Sequence, residues 1–464
     1  MAGGGAVTRP RGSGEQSSVG PARVGAYRWE RRLPQSARWV SHSTRRLMTA
    51  DRSPIVTESG SGARDAGCPG RRRAKRERTW PVGLRDAGRK RRDDVARKLK
   101  SDKVLFIAAL LLVCTSIVMV YSASAAIAID QLDESYYFMT RQALWAVLGV
   151  TGLAIAMRLD YRAYRNELLV YGLLGIVGLA LVYVLLFGTT RGGAARWLNV
   201  GSLGIQPSEL AKIACALFTA MILERRMHRI NEVRYSILPI ALVVLPTALL
   251  IYKEPDFGTA ASLILMVMVM LFAAGLNYRY LIGAALAGLP VLCFLAISEG
   301  YRLARIVAFF NANADPTGKY SYQAKQSMIA VGSGGIFGLG LTNGLQKMFY
   351  LPQSHTDFIY AVISEELGII GATSVLICFC VIAWRGLRIA MRAEDQFGAF
   401  MALGLTTMIC VQALINISVV LSMMPTKGIP LPLVSAGGSS LIVSLIAIGM
   451  LLNISQHSTD AVEA

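Results

Sequence analysis

The sequence predicts an all-α polytopic membrane protein with about ten transmembrane helices, one large outer loop and a disordered N-terminal tail. Its 464 residues are 53% hydrophobic, and the mean hydropathy of +0.46 is too high for a soluble chain of this length. Apolar runs of membrane-spanning length recur from Val104 onwards. The charge is uneven, because residues 1–103 carry 26 Lys and Arg against 10 Asp and Glu, whereas the remainder carries 22 against 19.

Residues 1–100 form the predicted tail, because they are rich in Gly, Ser, Pro and Arg and show no hydrophobic periodicity. The basic block Arg71–Arg78 precedes the first apolar run and is typical of a cytoplasmic anchor that touches anionic lipid. A nucleic-acid partner is not expected, since the basic charge belongs to this tail. Six of the seven cysteines lie in apolar runs, so neither a disulfide framework nor a cysteine metal site is predicted.

Ten apolar runs make up the predicted membrane domain, 104–453, and a short cytoplasmic tail follows at 454–464. The runs are 104–124, 142–157, 167–187, 207–223, 236–251, 259–275, 281–297, 359–384, 398–421 and 438–453. The short loops on one side carry 11 arginines, and those on the other side carry five basic residues. The positive-inside rule therefore predicts that both termini are cytoplasmic. The outer segments are then 125–141, 188–206, 252–258, 298–358 and 422–437.

Polar residues concentrate in these outer segments, which favours a site at one membrane surface over a pore through the membrane. The second outer segment and the helix after it contain Arg196, Trp197, Gln206, Glu209 and Lys212. Glu209 and Lys212 are three residues apart on one helix face, so they form either a structural ion pair or a direct substrate contact. Trp197 is predicted to be an interfacial anchor.

The third outer segment places Glu254 and Asp256 on either side of a proline in a tight turn. The two carboxylates could bind a divalent cation or a basic neighbour, and Asp256 could simply cap the next helix. In the large outer loop 298–358, Arg302 and Arg305 suit a diphosphate or a lipid headgroup, and Gln326 follows in a polar run. The glycines at 332–340 lack the lysine of a phosphate-binding loop and indicate flexible or re-entrant packing.

Asp357 is the strongest catalytic candidate, because it lies at the end of this loop, just before an apolar run. A carboxylate at the edge of an accessible, partly buried site can act as a general base; the alternative is a helix N-cap. His355 lies beside it, and Glu365 and Glu366 follow inside the apolar run. These two glutamates either orient the aspartate or brace the helix.

The last outer segment contains Lys427 among three prolines and three glycines, which exclude a regular helix. Ser439 and Ser440 follow at a helix start, where their hydroxyl groups could donate to a phosphate. A nucleophilic serine is not expected, because the sequence contains no GxSxG motif.

These motifs together resemble the SEDS family (shape, elongation, division and sporulation proteins). RWLNVGSLGIQPSELAK, KEPDFGTA, YRLARI, LPQSHTDFIYAVISEELG and PTKGIPLPLVSAGGSS carry the resemblance in order and spacing over about 104–453. PTKG and YRL resemble the division branch, and IPLP the elongation branch. Ala436 departs from the tyrosine usual in the family before GGSS.

The resemblance implies a peptidoglycan glycosyltransferase that polymerises lipid II at the outer face of the bacterial cytoplasmic membrane, during septal wall synthesis. It places the catalytic aspartate at Asp357, with inversion at the sugar and release of undecaprenyl diphosphate. Arginines, or a divalent cation such as Mg²⁺ or Mn²⁺, would offset the charge of the leaving group. The implied partners are a class B penicillin-binding transpeptidase and other membrane proteins of the division machinery. A lipid II flippase, an elongation-type enzyme of the lateral wall and a scaffold are the alternatives.

Overall fold

The computed structural model describes residues 101–191, 194–200, 203–311 and 318–458. The predicted tail at 1–100 lies outside the described residues, as does the chain after 458. The described elements are twelve α-helices, three short strands and two 3₁₀ turns. The all-α prediction is confirmed, apart from a small antiparallel sheet in the second outer segment.

Each of the ten predicted apolar runs is a helix. They are α1 (Lys103–Leu132), α2 (Tyr137–Arg158), α3 (Glu167–Phe187), α4 (Pro207–Arg226), α5 (Ile237–Lys253), α6 (Phe257–Ala273), α7 (Tyr278–Ile297), α10 (Ile359–Arg392), α11 (Gln396–Val420) and α12 (Gly438–Gln456). By length and apolar composition, seven of the ten could cross a membrane. Helices α5 and α6 are shorter apolar helices, and α4 carries Glu209 and Lys212 in its apolar stretch.

The remaining elements are two helices, two 3₁₀ turns and three strands. Helices α8 (Gly300–Phe310) and α9 (Lys319–Ser333) occupy the large loop, and 3₁₀ turns follow α2 at Tyr161–Arg165 and α4 at Met227–Arg229. Strands β1 (Thr189–Arg191), β2 (Ala194–Val200) and β3 (Leu203–Ile205) pair in the order β1-β2-β3. The sequence predicts a loop for this second outer segment, because strands of three to seven residues produce little periodicity.

Helix α4 is central to the helical packing. Its residues are buried from Pro207 to Leu223 with the exception of Leu210, whereas α1, α2 and α3 each expose a broad apolar face. A helix that is covered on all sides lies inside a bundle, and exposed apolar faces suit contact with lipid. Side-chain caps begin several helices; the Asp102 carboxylate, for example, accepts hydrogen bonds from the amides of Val104 and Leu105.

Helix α10 is interrupted by Gly368, which has φ 66° and ψ −165°. The glycine-rich turn of the large loop pairs with this break: Leu339 N donates to Glu365 O at 3.0 Å, and Ile369 N donates to Gly335 O at 2.9 Å. A Cβ atom on Gly338 would lie 2.1 Å from Glu366 O, so only glycine allows this approach. The sequence leaves this turn as either a flexible loop or a re-entrant packed segment, and the structure shows the packed segment.

Candidate functional site

All five outer segments meet at one cavity of about 950 Å³. Eleven of the sixteen predicted site residues line it: Arg196, Trp197, Gln206, Glu209, Asp256, Arg302, Arg305, His355, Asp357, Lys427 and Ser439. Lys212, Glu254, Gln326, Glu365 and Glu366 do not. Segments far apart in sequence thus build a single site at one end of the helices.

The Asp357 carboxylate faces this cavity and makes no hydrogen bond to any residue that the structure describes. It does not cap α10, whose N-cap position is Phe358 and has no side-chain cap. Burial raises the pKa of Asp357 to about 6, and the neighbouring Arg196 and Arg305 limit that rise. A carboxylate with this pKa is ionised at neutral pH and can accept a proton, as a general base must.

Main-chain contacts hold Asp357 in place. Asn416 Nδ2 donates to the carbonyl oxygens of Asp357 at 2.8 Å and of Ile429 at 2.7 Å. Ser435 Oγ donates to Thr356 O at 2.6 Å. The last outer segment and the residues around Asp357 therefore form one hydrogen-bonded unit. A Cβ atom on Gly428 would lie 3.0 Å from the Asp357 carboxylate, so this glycine leaves room beside it.

Arg196 and Arg305 supply positive charge near Asp357. Arg196 extends from β2, where its Nε donates to Glu254 O at 3.0 Å and its Nη2 donates to Pro255 O. Arg305 Nη1 donates to Thr426 O at 3.3 Å, and its guanidinium lies 5.0 Å from the Tyr320 ring centre. Both guanidinium groups are held by neutral partners, so their charge remains available to an anion in the cavity.

Arg302 and Lys427 also line the cavity. Arg302 follows the α8 helical spacing, three residues before Arg305, but its Nη1 donates to Leu295 O at 2.9 Å and its guanidinium stacks 4.4 Å from the Tyr252 ring centre. It is 9% exposed, so packing takes most of its surface. Lys427 lies 4.8 Å from the Phe257 ring centre, and burial lowers its pKa.

Asp256 caps α6, as the structural alternative predicted. Its carboxylate accepts hydrogen bonds from Thr259 N at 3.1 Å, Thr259 Oγ1 at 2.8 Å and Gln206 Nε2 at 3.2 Å. Glu254 differs, because it is 1% exposed and neither of its carboxylate oxygens has a hydrogen-bond partner among the described residues. Burial and the nearby Asp256 raise the pKa of Glu254 to about 8, which makes it predominantly neutral at pH 7.

The predicted substrate contact of Lys212 is not present. Lys212 is 2% exposed, and its Nζ donates to Glu209 Oε1 at 3.0 Å and to Gln412 Oε1 on α11. The buried position of α4 turns this side chain toward a neighbouring helix instead of the cavity. Of the two alternatives, the ion pair that fixes helix packing is the observed arrangement, and only Glu209 reaches the cavity wall.

Glu365 and Glu366 hold the large loop against the break in α10. Glu365 Oε1 accepts hydrogen bonds from Leu345 N at 2.8 Å and Gln346 N at 3.1 Å. Glu366 Oε1 accepts from Lys347 Nζ at 2.6 Å. Helical geometry explains their absence from the cavity, since these residues lie two turns beyond Asp357 and face the re-entrant turn. They brace the fold and do not contact the Asp357 carboxylate.

Three polar residues complete the predicted set. His355 Nδ1 has no hydrogen-bond partner among the described residues, and burial lowers the pKa of this imidazole. The Ser439 hydroxyl group is likewise unpartnered within the described chain and lines the cavity at the start of α12. Gln326 does not line the cavity, whereas Gln323, about one turn earlier on α9, does. The structure therefore places Gln323, and not the predicted Gln326, at the site.

Sequence reasoning missed Asn416, Arg141, Gln142 and Tyr320. Asn416 and Gln412 are two polar residues one turn apart in the apolar helix α11, which was a usable signal. In the sequence, Arg141 contributes only to the charge balance of the loops, and Gln142 begins an apolar run. Both lie in the first turns of α2 and line the cavity, as does Tyr320.

A divalent-cation site is not preformed by protein ligands. Among the residues that the structure describes, no three His, Cys, Asp or Glu side chains cluster in a way that could hold a metal. Asp256 commits its oxygens to three donors, and the Glu254 side chain is not on the cavity wall. These residues do not by themselves fit a cation, so we assign no step to one.

Comparison with known proteins agrees with this architecture. The family model described as a cell cycle protein, FtsW/RodA/SpoVE, matches residues 102–460. A probable peptidoglycan glycosyltransferase FtsW of Geobacter sulfurreducens is 42% identical over 361 residues, which is 78% of this chain and 96% of the relative. Stage V sporulation protein E of Bacillus subtilis is 41% identical over 362 residues, covering 78% and 99%.

Two solved structures are similar. A chain of a peptidoglycan synthase complex that coordinates polymerization and crosslinking has a TM-score of 0.65 and 28% identity, covering 79% of this chain and 100% of that chain. Rod shape determining protein RodA of Thermus thermophilus has a TM-score of 0.59 and 29% identity, covering 78% and 98%. The SEDS resemblance and the proximity to the division branch are thereby confirmed: the chain belongs to the FtsW/RodA/SpoVE family of cell cycle proteins.

Proposed function

We propose that the protein is a peptidoglycan glycosyltransferase that joins lipid-linked disaccharides into glycan strands. The observation that carries the proposal is the Asp357 carboxylate, which faces a cavity of about 950 Å³ without a hydrogen-bond partner among the described residues. This chain matches 96% of the length of a relative that is named as a probable enzyme of this kind. The substrate is lipid II, whose diphosphate suits the cations around Asp357.

Asp357 acts as the general base. The 4-hydroxyl oxygen of the acceptor sugar attacks the anomeric carbon of the donor, and the Asp357 carboxylate takes the hydroxyl proton. The bond between the anomeric carbon and the phosphate oxygen breaks, and its electron pair leaves with undecaprenyl diphosphate. Attack from the opposite face gives a β-1,4 linkage with inversion. No nucleotide is consumed, because the donor's phosphate ester supplies the driving force.

Arg196, Arg305 and Lys427 stabilise the leaving diphosphate. Charge develops on the phosphate as the bond breaks, so cations already held in place lower the barrier without reorganising. Arg196 and Arg305 are fixed by backbone carbonyl groups, which leaves their charge uncompensated.

The cellular setting follows from the same proposal. The cavity faces the outside of the cytoplasmic membrane, both termini are cytoplasmic, and the enzyme works at the division septum. Its partners are other division proteins and a class B penicillin-binding transpeptidase, which crosslinks the glycan strands that this protein makes. The charge bias of the loops supports the orientation, and similarity to a chain of a peptidoglycan synthase complex supports the partnership.

The test is polymerisation of labelled lipid II by the purified protein with its transpeptidase partner. Wild-type protein and Asp130→Asn should produce glycan strands, whereas Asp357→Asn should produce none. Asp130 is the matched control, because it is an exposed carboxylate near the same end of the helices and does not line the cavity. Equal polymer from Asp357→Asn would refute the assignment. Movement of lipid II between leaflets without polymer would indicate a flippase.

A further inference from the structure

A second cavity, of about 260 Å³, lies at the other end of the helices. It is lined by the first residues of α1, the last turns of α10 and the end of α12. Helix α12 separates the two cavities: Ser439 in its first turn lines the large one, and Ser455 in its last turn lines the small one. Nineteen residues at 1.5 Å each place these ends about 28 Å apart. This cavity is therefore distinct from the proposed active site.

Cations dominate the small cavity. Lys103, Arg385, Arg388 and Arg392 line it, with Asp102 as its acidic residue. The Asp102 carboxylate is already engaged, because Oδ1 accepts from Val104 N and Leu105 N at 3.1 Å and Oδ2 lies 2.6 Å from the Arg385 guanidinium. One carboxylate thus neutralises one arginine. Arg388 has no ion pair or hydrogen bond with any described residue, so the cavity keeps excess positive charge.

Exposed apolar side chains lie close in sequence to the cavity-lining residues of α1 and α10. Val104, which lines it, is 47% exposed, and Ile107 one turn along α1 is 53% exposed. On α10, Trp384 is 58% exposed and Met391 is 80% exposed. On helices that span a membrane, such side chains contact lipid chains, and tryptophan favours the level of the headgroups. The cations therefore lie where a headgroup meets its acyl chains.

We propose that this cavity binds the headgroup of an anionic phospholipid, with the phosphate between Arg388 and Arg392. The planar guanidinium group can donate two parallel hydrogen bonds to phosphate oxygens, and the nearby Ser101 and Ser458 offer further donors. The acyl chains lie along the exposed apolar faces of α1 and α10. Basic pockets between the ends of membrane helices are suited to such lipids. This site goes beyond the proposed catalysis and does not depend on it.

The apolar surroundings distinguish a lipid from a free phosphate ion. A free phosphate ion would contact only the arginines. If the cavity bound only phosphate groups, inorganic phosphate would displace every phosphate-bearing headgroup equally well. A phospholipid gains from both parts, and an anionic headgroup gains over a zwitterionic one because no choline offsets its charge. Phosphatidylglycerol should therefore be retained in preference to phosphatidylcholine, and inorganic phosphate should compete weakly.

Native mass spectrometry of the full-length protein in detergent tests this proposal. The protein is titrated with phosphatidylglycerol, with phosphatidylcholine, and with phosphatidylglycerol in the presence of inorganic phosphate. The double variant Arg388→Gln/Arg392→Gln should bind phosphatidylglycerol about 25-fold more weakly, from roughly fivefold per arginine. The variant Arg388→Lys/Arg392→Lys keeps the charge but loses the paired hydrogen bonds, so its affinity should lie between those of the wild type and the glutamine variant.

The matched control is Arg234→Gln/Arg279→Gln, which removes two exposed cations from other loops assigned to the same side. It should bind phosphatidylglycerol like the wild type. Unchanged binding by Arg388→Gln/Arg392→Gln, or an equal loss in the control, would overturn the proposal. Equal retention of the two lipids would also overturn it, and full displacement by inorganic phosphate would assign the cavity to free anions. Thermal unfolding in phosphatidylcholine alone verifies that each variant is folded.

Discussion

Asn416 in α11 donates from one amide nitrogen to the carbonyl oxygens of both Asp357 and Ile429, at 2.8 and 2.7 Å. These two residues are about 70 positions apart, on two different outer segments. A single side chain, 1% exposed, therefore sets the distance between the candidate base and the loop that carries Lys427. The position of the base depends on a buried residue that never touches the cavity.

Asn416→Leu should lower polymerisation about 100-fold, because a shift of about 1 Å at a reacting group costs that much. Two buried carbonyl oxygens would also lose their donor, at about 1–3 kcal/mol each. The measurement is the rate of glycan synthesis alongside the thermal unfolding midpoint. Asn453→Leu is the matched control, since Asn453 is equally buried and bonds Met157 O and Tyr161 N far from the cavity. That variant should lose stability while its folded fraction stays active.

Asp357 also predicts a pH dependence. A general base works when it is ionised, so activity should rise with pH around the Asp357 pKa of about 6 and then level off. Arg305 holds that pKa down, and Arg305→Gln should move the rising limb to higher pH. Lys325→Gln removes an exposed cation from the same large loop and should leave the midpoint unchanged. A profile that is flat between pH 5 and 8 in the wild type would contradict the role of Asp357.

The sequence predicted the helices and most of the cavity wall, for reasons that these residues illustrate. The ten apolar runs identify ten helices, because the length of an apolar run can be read from the local sequence alone. Arg302 and Arg305 were predicted together because they lie close in sequence in the large outer loop. The role of Lys212 stayed open between an ion pair and a substrate contact, and Asn416 was overlooked, because both roles depend on which neighbouring helix each side chain faces. The break at Gly368 depends on pairing with a turn about 30 residues earlier, which no local pattern reveals.

Asp357→Asn should be more stable than the wild type at high pH. Burial raises the folded-state pKa from the ordinary 3.8 to about 6, so the ionised carboxylate destabilises the fold. This cost is absent below about pH 4, grows as pH rises, and is complete above about pH 6. The upper limit is about 3 kcal/mol, from 1.36 kcal/mol per pKa unit.

Thermal unfolding of the detergent-solubilised protein at pH 5 and pH 8 measures this effect. The midpoint difference between Asp357→Asn and the wild type should be larger at pH 8. Asp256→Asn should instead be less stable at both pH values, because its carboxylate accepts three hydrogen bonds as a cap. A midpoint for Asp357→Asn below that of the wild type at pH 8 would show that the carboxylate stabilises the fold.

Lys347 and Glu366 form a buried ion pair, with side chains 4% and 0% exposed, between the large loop and α10. Lys347→Met should destabilise the protein by about 3–5 kcal/mol, because Glu366 would be left as an unpaired buried charge. The double variant Lys347→Met/Glu366→Gln should recover much of this loss, since a neutral amide can still accept from Ser122 Oγ and Thr342 N. Lys325→Met, an exposed change in the same loop, should have little effect.

Polymerisation by these variants separates bracing from chemistry. Glu366 does not line the cavity, so Glu366→Gln should lower activity only as far as it lowers the folded fraction. Its rate per folded molecule should match that of the wild type, with normal insertion into the membrane. A variant with a normal unfolding midpoint and no polymerisation would instead place Glu366 in the reaction. The break in α10 would then carry part of the active site, because Glu366 lies two residues before Gly368.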